Sequence, residues 1–404
     1  MRILFISDNF PPEINAPANR TYEHCKEWVK LGAEVTVITC APNFPKGKVF
    51  YGYKNKWRSE EIIDGIRVIR VWSYITANEG MLRRILDYIS FGISSFLQGL
   101  FIKSDIVIGT SPQFFSAMSA WQISLFTRRP WVMEVRDLWP ESIIAVGAMK
   151  NKRIISFLEW IEMMMYRSAN KIIVVTDTFK VKLSERGVKA DKISVFKNGV
   201  DLGKYWPQPK SEKLISKYSL QGKFILAYIG THGMAHGLDF ILEQARLIHD
   251  ELKNVHFLFI GDGANKENLV KKAENYRLEN VTFLESVPKK EVLEYLNLMD
   301  IALVNLKKSD TFLTVIPSKI FEAAAVEKPI LLGLEGETKG IIQKYGAGIC
   351  FEPENAIQFR ESVKAMYNKR ENLSEYKRGC KKLAIDFERK KIAKSMLESL
   401  KEVG

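Results

Sequence analysis

The feature that most constrains this chain is an alternation that stops and then starts again. Short runs rich in β-branched residues, Arg2–Ile6, Glu34–Thr39, Arg67–Trp72, Ile106–Gly109, Trp131–Val135 and Lys171–Thr176, recur with helical patterns such as Ala18–Leu31 and Ile154–Arg167 between them. Runs that are apolar almost throughout, rather than at every second position, belong to strands covered on both faces, and the intervening helices supply that cover. The polar stretch Lys204–Gly222, with Pro207 and Pro209, interrupts the pattern and is expected to join two domains. The signature then restarts in Phe224–Ile229, His256–Ile260, Val281–Leu284, Ile301–Val304, Ile330–Leu332 and Gly348–Phe351, with helices such as Leu238–Leu252 and Pro288–Leu298.

The spacing therefore predicts an α/β protein of two Rossmann-like, doubly wound parallel-sheet domains. The first is expected over 1–205 and the second over 206–385, and the 404 residues suit two such units. A charged tail over 386–404 follows, in which Glu388–Glu402 reads as a solvated helix expected to return towards the first domain. Ligands of such sheets bind beyond the carboxyl ends of the strands, so a cleft between the domains is the expected active site.

Charge narrows the partners. Lys and Arg number 60 against 47 Asp and Glu, a net charge of +13. Residues 1–205 hold 29 of the bases and 20 of the acids, so the first half is the more basic one. Such an excess draws a protein towards nucleic acid, a phosphorylated ligand or an acidic membrane face. No aromatic-interleaved nucleic-acid module of the RNP1 kind is present. Polybasic surface such as Lys46, Lys48, Lys54, Lys56, Arg58, Arg83, Arg84 and Lys103 suits an anionic leaflet, where each base contributes about 1 kcal/mol. The stretch Met81–Ile102 reads either as a segment lying in that interface or as a core helix. It does not read as a span, because the 15 uncharged residues between Asp87 and Lys103 include three serines and a glutamine. Met1-Arg2 leads into Ile3-Leu4-Phe5-Ile6 and then Ser7-Asp8-Asn9, a strand rather than a signal peptide. Four scattered cysteines form no disulfide or zinc pattern and suit a reducing compartment.

Several segments can carry chemistry. Gly230-Thr231-His232-Gly233, between a strand and helix Leu238–Leu252, is either a phosphate cradle at a helix start or a tight turn. It is neither G-x-G-x-x-G nor a Walker loop, which argues against a dinucleotide dehydrogenase and a P-loop enzyme. In Pro317-Ser318-Lys319-Ile320-Phe321-Glu322 a helix is expected to begin, with Lys319 suited to a diphosphate and Glu322 to sugar hydroxyls; the other reading is a surface ion pair. Gly261-Asp262-Gly263 is a second sharp turn at a strand end. In the first half, the proline-stiffened loop from Pro11 to Arg20 carries Asn15, and Arg20 either reaches an anionic ligand or belongs to a rigid loop. Glu134, Arg136, Asp137 and Glu141 flank Trp139-Pro140 at another strand end, where so many charges need a ligand, solvent or one another. There is no D-x-D, H-E-x-x-H or G-x-S-x-G motif, and no metal site is expected.

Taken in order, these pieces resemble the GT-B glycosyltransferases of family 4 over almost the whole length. The resemblance rests on Pro11-Pro12-Glu13, Leu31–Thr39, Asn198-Gly199-Val200-Asp201, Gly261-Asp262-Gly263, and Glu322-Ala323-Ala324-Ala325 ending in Lys328-Pro329. Ala41–Gly47, Asp64–Val68 and Glu134–Glu141 are similar to the branch of O-antigen and capsule clusters that includes N-acetyl-L-fucosamine transferases.

The resemblance implies a retaining transfer of a hexosamine, N-acetyl-L-fucosamine being the candidate, from a UDP-sugar to a polyprenyl-diphosphate-linked saccharide, without metal or other cofactor. It places the work at the inner face of the cell membrane. The implied donor site is Gly230, Thr231, His232, Gly233, Gly261, Asp262, Thr314, Ser318, Lys319 and Glu322. The implied acceptor side is Asn15, Arg20, Glu134, Arg136 and Glu141, and Lys319, Glu322, Arg136 and Asp137 are the implied catalytic residues. The chain departs from the family where Thr314 replaces the first glutamate of an E-x7-E motif ending at Glu322, where Asn15-Ala16 replaces a Gly-Gly pair, and where Arg136 replaces a histidine. A nucleotide-sugar 2-epimerase of similar fold is the rival reading, weakened because Thr314 takes away a carboxylate.

Overall fold

A computed structural model of the chain describes residues 1–76, 81–111, 113–139 and 151–403. The chain forms two compact units, Met1–Lys197 with Arg389–Gly404, and Asn198–Glu388.

The first unit holds an eight-stranded sheet in the order β3-β4-β2-β1-β5-β6-β7-β8. Its strands are β1 (Arg2–Ile6), β2 (Glu34–Cys40), β3 (Arg58–Ile63), β4 (Ile66–Val71), β5 (Ile106–Thr110), β6 (Trp131–Val135), β7 (Lys171–Val174) and β8 (Ile193–Val195). All pairings are parallel except β3 with β4. Strand β1 lies between β2 and β5, with Leu4 opposite Thr36 on one side and Val107 on the other. The chain turns to opposite sides there, so the end of β1 is the topological switch point. Strands β3 and β8 lie outside the sequence expectation. Strand β3 is an edge strand, Arg58-Ser59-Glu60-Glu61-Ile62-Ile63, whose residues are alternately exposed and half-buried, closed by Asp64 and Gly65 at φ 48° and 80°, as a two-residue hairpin turn requires.

The second unit holds six parallel strands in the order β11-β10-β9-β12-β13-β14. They are β9 (Phe224–Ile229), β10 (Val255–Ile260), β11 (Val281–Leu284), β12 (Ile301–Asn305), β13 (Ile330–Gly333) and β14 (Gly348–Phe351). Here the switch lies between β9 and β12, with Ala227 beside Ala302. In each unit apolar side chains on both faces of the sheet make a core under the flanking helices.

Two expectations about segments are corrected. Lys204–Gly222 is not a linker, because it belongs to the second unit. Leu214 and Leu220 are buried in that unit's core, Gln208 N donates to Asn297 Oδ1 at 2.7 Å, and Lys210 pairs with Asp300 at 2.6 Å. The chain crosses between units at 197–198 and again at 388–389. Nor is the tail helix, Arg389–Lys401, merely solvated. Ala393, Met396, Leu397 and Leu400 are buried in the first unit, and Trp28 Nε1 donates to Ala393 O at 2.9 Å. Its many lysines hide this stripe in a reading by composition, but the i, i+3, i+4, i+7 spacing carries it.

Candidate active site

In the second unit the site forms where the loops after β9, β10 and β12 meet. Gly230 follows β9 at φ 141°, and its N–H donates to Ile260 O at 2.8 Å. Gly261 and Gly263 follow β10 at φ 142° and 157°. A Cβ on Gly261 would overlap the Gly230 carbonyl, and one on Gly263 would stand 2.7 Å from the carbonyl of His232. The two loops thus lie backbone against backbone, an approach that needs glycine. Two further bonds tie them, His232 N to Asp262 O at 2.8 Å and Asn265 N to His232 O at 2.9 Å. Close loop packing accounts for Gly261 and Gly263 without a ligand.

Gly230 has a different neighbour. A Cβ there would meet Lys319 Cε at 2.5 Å and Nζ at 2.7 Å, so the lysine lies across the glycine. Lys319 opens the helix Lys319–Ala325 that follows β12, and its Nζ stands 3.7 Å from the centre of the Tyr228 ring. The aromatic face attracts the ammonium but does not neutralise it. Burial pulls the Lys319 pKa down to about 7, against an opposing pull from the carboxylate of Glu322 three residues on. Tyr228 is buried and donates its hydroxyl to Thr231 O at 2.8 Å.

His232 is fully buried with both ring nitrogens unpartnered, and burial with the charges of Lys266 and Lys319 holds its pKa down at about 4. His236 sits nearby, its pKa also held at about 4 by burial and by Lys319, and its carbonyl accepts from Asn305 Nδ2 at 2.9 Å. Both rings are neutral near pH 7, and each can offer one N–H. An ammonium laid across a glycine, with two neutral imidazoles near enough to feel its charge, can attract an anion.

The remaining expected donor residues divide. Asp262 is exposed, and its Oδ1 accepts from Gly263 N at 2.7 Å. Gly233 precedes the short turn Met234–His236. Thr314 ends the turn Asp310–Thr314 and donates to Thr311 O at 3.5 Å within that turn. The helix begins at Lys319 directly after Ser318, as expected, but Ser318 has helical backbone angles and makes no side-chain capping bond.

In the first unit, charged groups gather at the carboxyl ends of β1, β5 and β6. Asn15 caps the helix Ala16–Lys30, with Oδ1 accepting from Ala18 N at 2.8 Å and Nδ2 donating to Asn9 Oδ1 at 2.6 Å. Arg20 and Glu134 form a buried ion pair at 2.9 Å. Arg20 also donates to Phe196 O at 2.9 Å, and the second oxygen of Glu134 accepts from Thr110 Oγ1 at 2.9 Å. Arg20 lies on the helix Ala16–Lys30 and is buried and paired, rather than in a solvent loop. Burial raises the Glu134 carboxyl, but Arg20 and Arg136 outweigh it and hold it below its ordinary value. Arg136 donates to Pro17 O at 3.3 Å, and burial lowers its pKa to about 10 against the pull of Glu134. Ser111 Oγ accepts from Arg136 N at 2.9 Å and donates to Asp137 O at 3.2 Å, which fixes the turn. Glu141 lies outside the described residues.

Three further acids belong to this cluster, of which the sequence marks only Glu13, as part of Pro11-Pro12-Glu13. Asp8 follows β1 at the switch point, and burial raises its pKa. Asp87, on the helix Met81–Gly99, is raised to about 7 by burial and by the charge of Asp8. Glu13 is buried and accepts from Asn43 N at 2.8 Å and Phe44 N at 2.9 Å. The available signal was Ser7-Asp8-Asn9 at the end of the first strand, where a carboxylate is a candidate for ligand contact.

Known proteins place this architecture. Residues 15–199 match the family model for a glycosyl transferase 4-like domain, and residues 210–382 that for glycosyl transferases group 1. A putative colanic acid biosynthesis glycosyl transferase, WcaI of Escherichia coli, is 24% identical over 367 residues, covering 88% of this chain and 89% of that protein. The probable glycosyltransferase WbjE of Pseudomonas aeruginosa is 26% identical over 231 residues, 56% of this chain and 57% of its own length. Among solved structures, sucrose-phosphate synthase from Thermosynechococcus elongatus superposes with a TM-score of 0.77 at 13% identity, covering 99% of this chain and 98% of that one. Anabaena HepE in complex with UDP gives 0.72 at 14% identity, with both chains fully covered. The chain is a glycosyltransferase of the GT-B fold. It belongs with the glycosyl transferases that join a 4-like first domain to a group 1 second domain.

Proposed function

We propose that this enzyme is a retaining transferase that moves a hexosamine, N-acetyl-L-fucosamine being the candidate, from UDP to a polyprenyl-diphosphate-linked saccharide in the synthesis of a surface polysaccharide. The observation that carries the reading is Lys319 lying across Gly230 beside His232 and His236. A sugar leaves UDP when the bond from its anomeric carbon to the β-phosphate oxygen breaks, and the charge left on that oxygen must be met by oriented donors. Lys319 is the cation for that charge, the imidazoles are the neutral donors, and Glu322 holds hydroxyls of ribose or sugar. The acceptor oxygen bonds the anomeric carbon on the face the diphosphate leaves, and its proton passes to the departing phosphate oxygen. No step needs a carboxylate nucleophile, which suits a chain with Thr314 in place of the family's first glutamate, and none is routed through a metal.

Arg136 and Asp137 are assigned to the acceptor, with the Arg20–Glu134 pair and Asn15 holding the loops that present them. HepE, a structural neighbour, is complexed with UDP, and WcaI is named for colanic acid biosynthesis; both support the direction of this reading. The basic first half supports work at the inner membrane face. Thermal-shift titration with UDP-sugars, followed by transfer to a lipid-linked acceptor, tests it. Retention is read from the anomeric coupling in the product. Free isomerised donor formed without acceptor would replace the reading with epimerisation.

A further inference from the structure

The helix Met81–Gly99 has two apolar faces. Its inner seam is built of small residues: Ser95 Oγ donates to Ser119 Oγ at 2.8 Å, a Cβ on Gly92 would stand 3.1 Å from Phe115, and Gly99 lies against Ile123. The helix Phe114–Thr127 packs closely there. Large apolar side chains face the other way. Leu86 and Ile93 are each 55% exposed, and Phe101, just past the helix, is 84% exposed. Phe126 on the neighbouring helix is 73% exposed and touches Phe96 edge to face at 5.4 Å, which joins the two helices' outer faces into one patch. A helix facing water carries polar residues on that side. Here Phe114–Thr127 carries no charge at all, and Met81–Gly99 carries only Arg83, Arg84 and the half-buried Asp87.

Among the described residues, the exposed charges at the two ends of the patch are bases, Arg83 and Arg84 at one and Lys103 and Arg128 at the other. Among the described residues, the neighbouring acids have bases of their own, Asp105 with Arg2 and Glu60 with Arg58 and Arg67, while half-buried Asp87 feels the charge of Arg84. An apolar centre between exposed bases is complementary to the headgroup boundary of an anionic bilayer, which offers acyl surface and phosphate side by side. We propose that this two-helix face seats the first unit on an anionic membrane surface, with Phe101 and Phe126 entering the acyl boundary and the four bases meeting lipid phosphates. This deepens the functional reading above, since it names the surface through which the enzyme meets its lipid-borne acceptor.

Co-sedimentation of the full chain with vesicles of phosphatidylglycerol and phosphatidylcholine in equal parts, and with phosphatidylcholine alone, tests it. The protein is expected to pellet with the anionic vesicles and to do so less as salt rises. Phe101→Ser with Phe126→Ser should weaken apparent vesicle affinity by roughly tenfold or more, and Arg83→Gln with Arg84→Gln should flatten the salt dependence. Because all four side chains are exposed, unchanged UDP binding is expected in both variants, with at most a small fall in melting temperature from the lost Phe126–Phe96 contact. Equal binding to the two vesicle types, no binding, or full binding by the phenylalanine variant overturns the proposal. So does a self-association in sedimentation velocity that the phenylalanine variant disperses. A protein that binds UDP but not these vesicles loses this inference alone, whereas one that binds the vesicles and neither binds nor turns over UDP-sugars loses the functional reading.

Discussion

Lys319 Nζ stands 3.7 Å from the centre of the Tyr228 ring, with two neutral histidines nearby and the carboxylate of Glu322 three residues on only partly offsetting its burial. The ring helps hold the ammonium in place without supplying a counter-charge. Burial without a full counter-charge leaves the lysine poised at a pKa of about 7, so an arriving diphosphate both gains a partner and restores the proton.

Binding of UDP should therefore depend on pH in one direction. Below about 7 Lys319 is charged in the empty site, and above it the ammonium must be recovered on binding. UDP affinity is expected to fall as pH rises through that value, by at most about tenfold per pH unit, until the raised pKa of the bound state is reached. Lys319→Ala should lose about 1.5–3 kcal/mol of UDP affinity and the pH dependence with it. Lys319→Arg should keep binding at high pH, since arginine does not deprotonate. Calorimetric titration across the pH range checks all three, and an unaltered slope in Lys319→Ala would remove the lysine from the site.

The loop contact makes a sharper demand on stability. Gly261→Ala or Gly263→Ala places a methyl group into the backbone of the neighbouring loop at a positive φ. Each should cost about 2–4 kcal/mol in urea unfolding, summing overpacking and left-handed strain. Gly340 lies in the helix Glu337–Tyr345 with nothing near its Cβ position. Gly340→Ala should stabilise the chain by about 0.5–1 kcal/mol. If the three substitutions behaved alike, the contact between the loops would not be the reason for glycine.

The sheets were legible because their strands are buried on both faces and read as unbroken apolar runs. Strand β3 was not, since Arg58, Glu60 and Glu61 on an edge strand look like a loop. Prolines misled at 204–222, where Leu214 and Leu220 are the anchors that tie the segment to the second unit. For the site, Lys319, Glu322 and the Gly230 loop were each visible, but their meeting was not. Strand order brings the ends of β9 and β12 together, and no local pattern encodes that. The significance of Asp8 lies in Asp87, a helix residue far along the chain that no local pattern links to it.

Arg20 and Glu134 give the first unit a buried pair whose halves cannot be removed singly without cost. Glu134→Gln or Arg20→Met leaves the other charge buried, and each should destabilise by about 3–5 kcal/mol, while the double change should cost less than their sum. The Glu134 carboxyl lies below its ordinary value in the folded unit. Its contribution is therefore present at neutral pH and lost in acid, as pH falls through the folded-state pKa. Denaturant unfolding of the four-protein cycle, repeated in acid, measures both effects; a coupling energy near zero would mean that the pair does not organise the loop.

Asp87 should show the opposite sign. Its folded-state pKa of about 7 exceeds the unfolded value of 3.8, because burial and the nearby charge of Asp8 both disfavour ionisation. Stability associated with the protonated carboxyl is full below the unfolded value and is lost as pH rises through the folded one. Asp87→Asn keeps a neutral group of the same shape, so it should leave acid stability nearly unchanged and raise the melting temperature above about pH 7. Asp8→Asn should have a second effect, lowering the Asp87 pKa by removing the charge beside it. Carboxyl titration followed by NMR in the two variants separates these contributions. If Asp87 titrated at its ordinary value in the unaltered protein, the two carboxylates would not share one low-dielectric site at the end of β1.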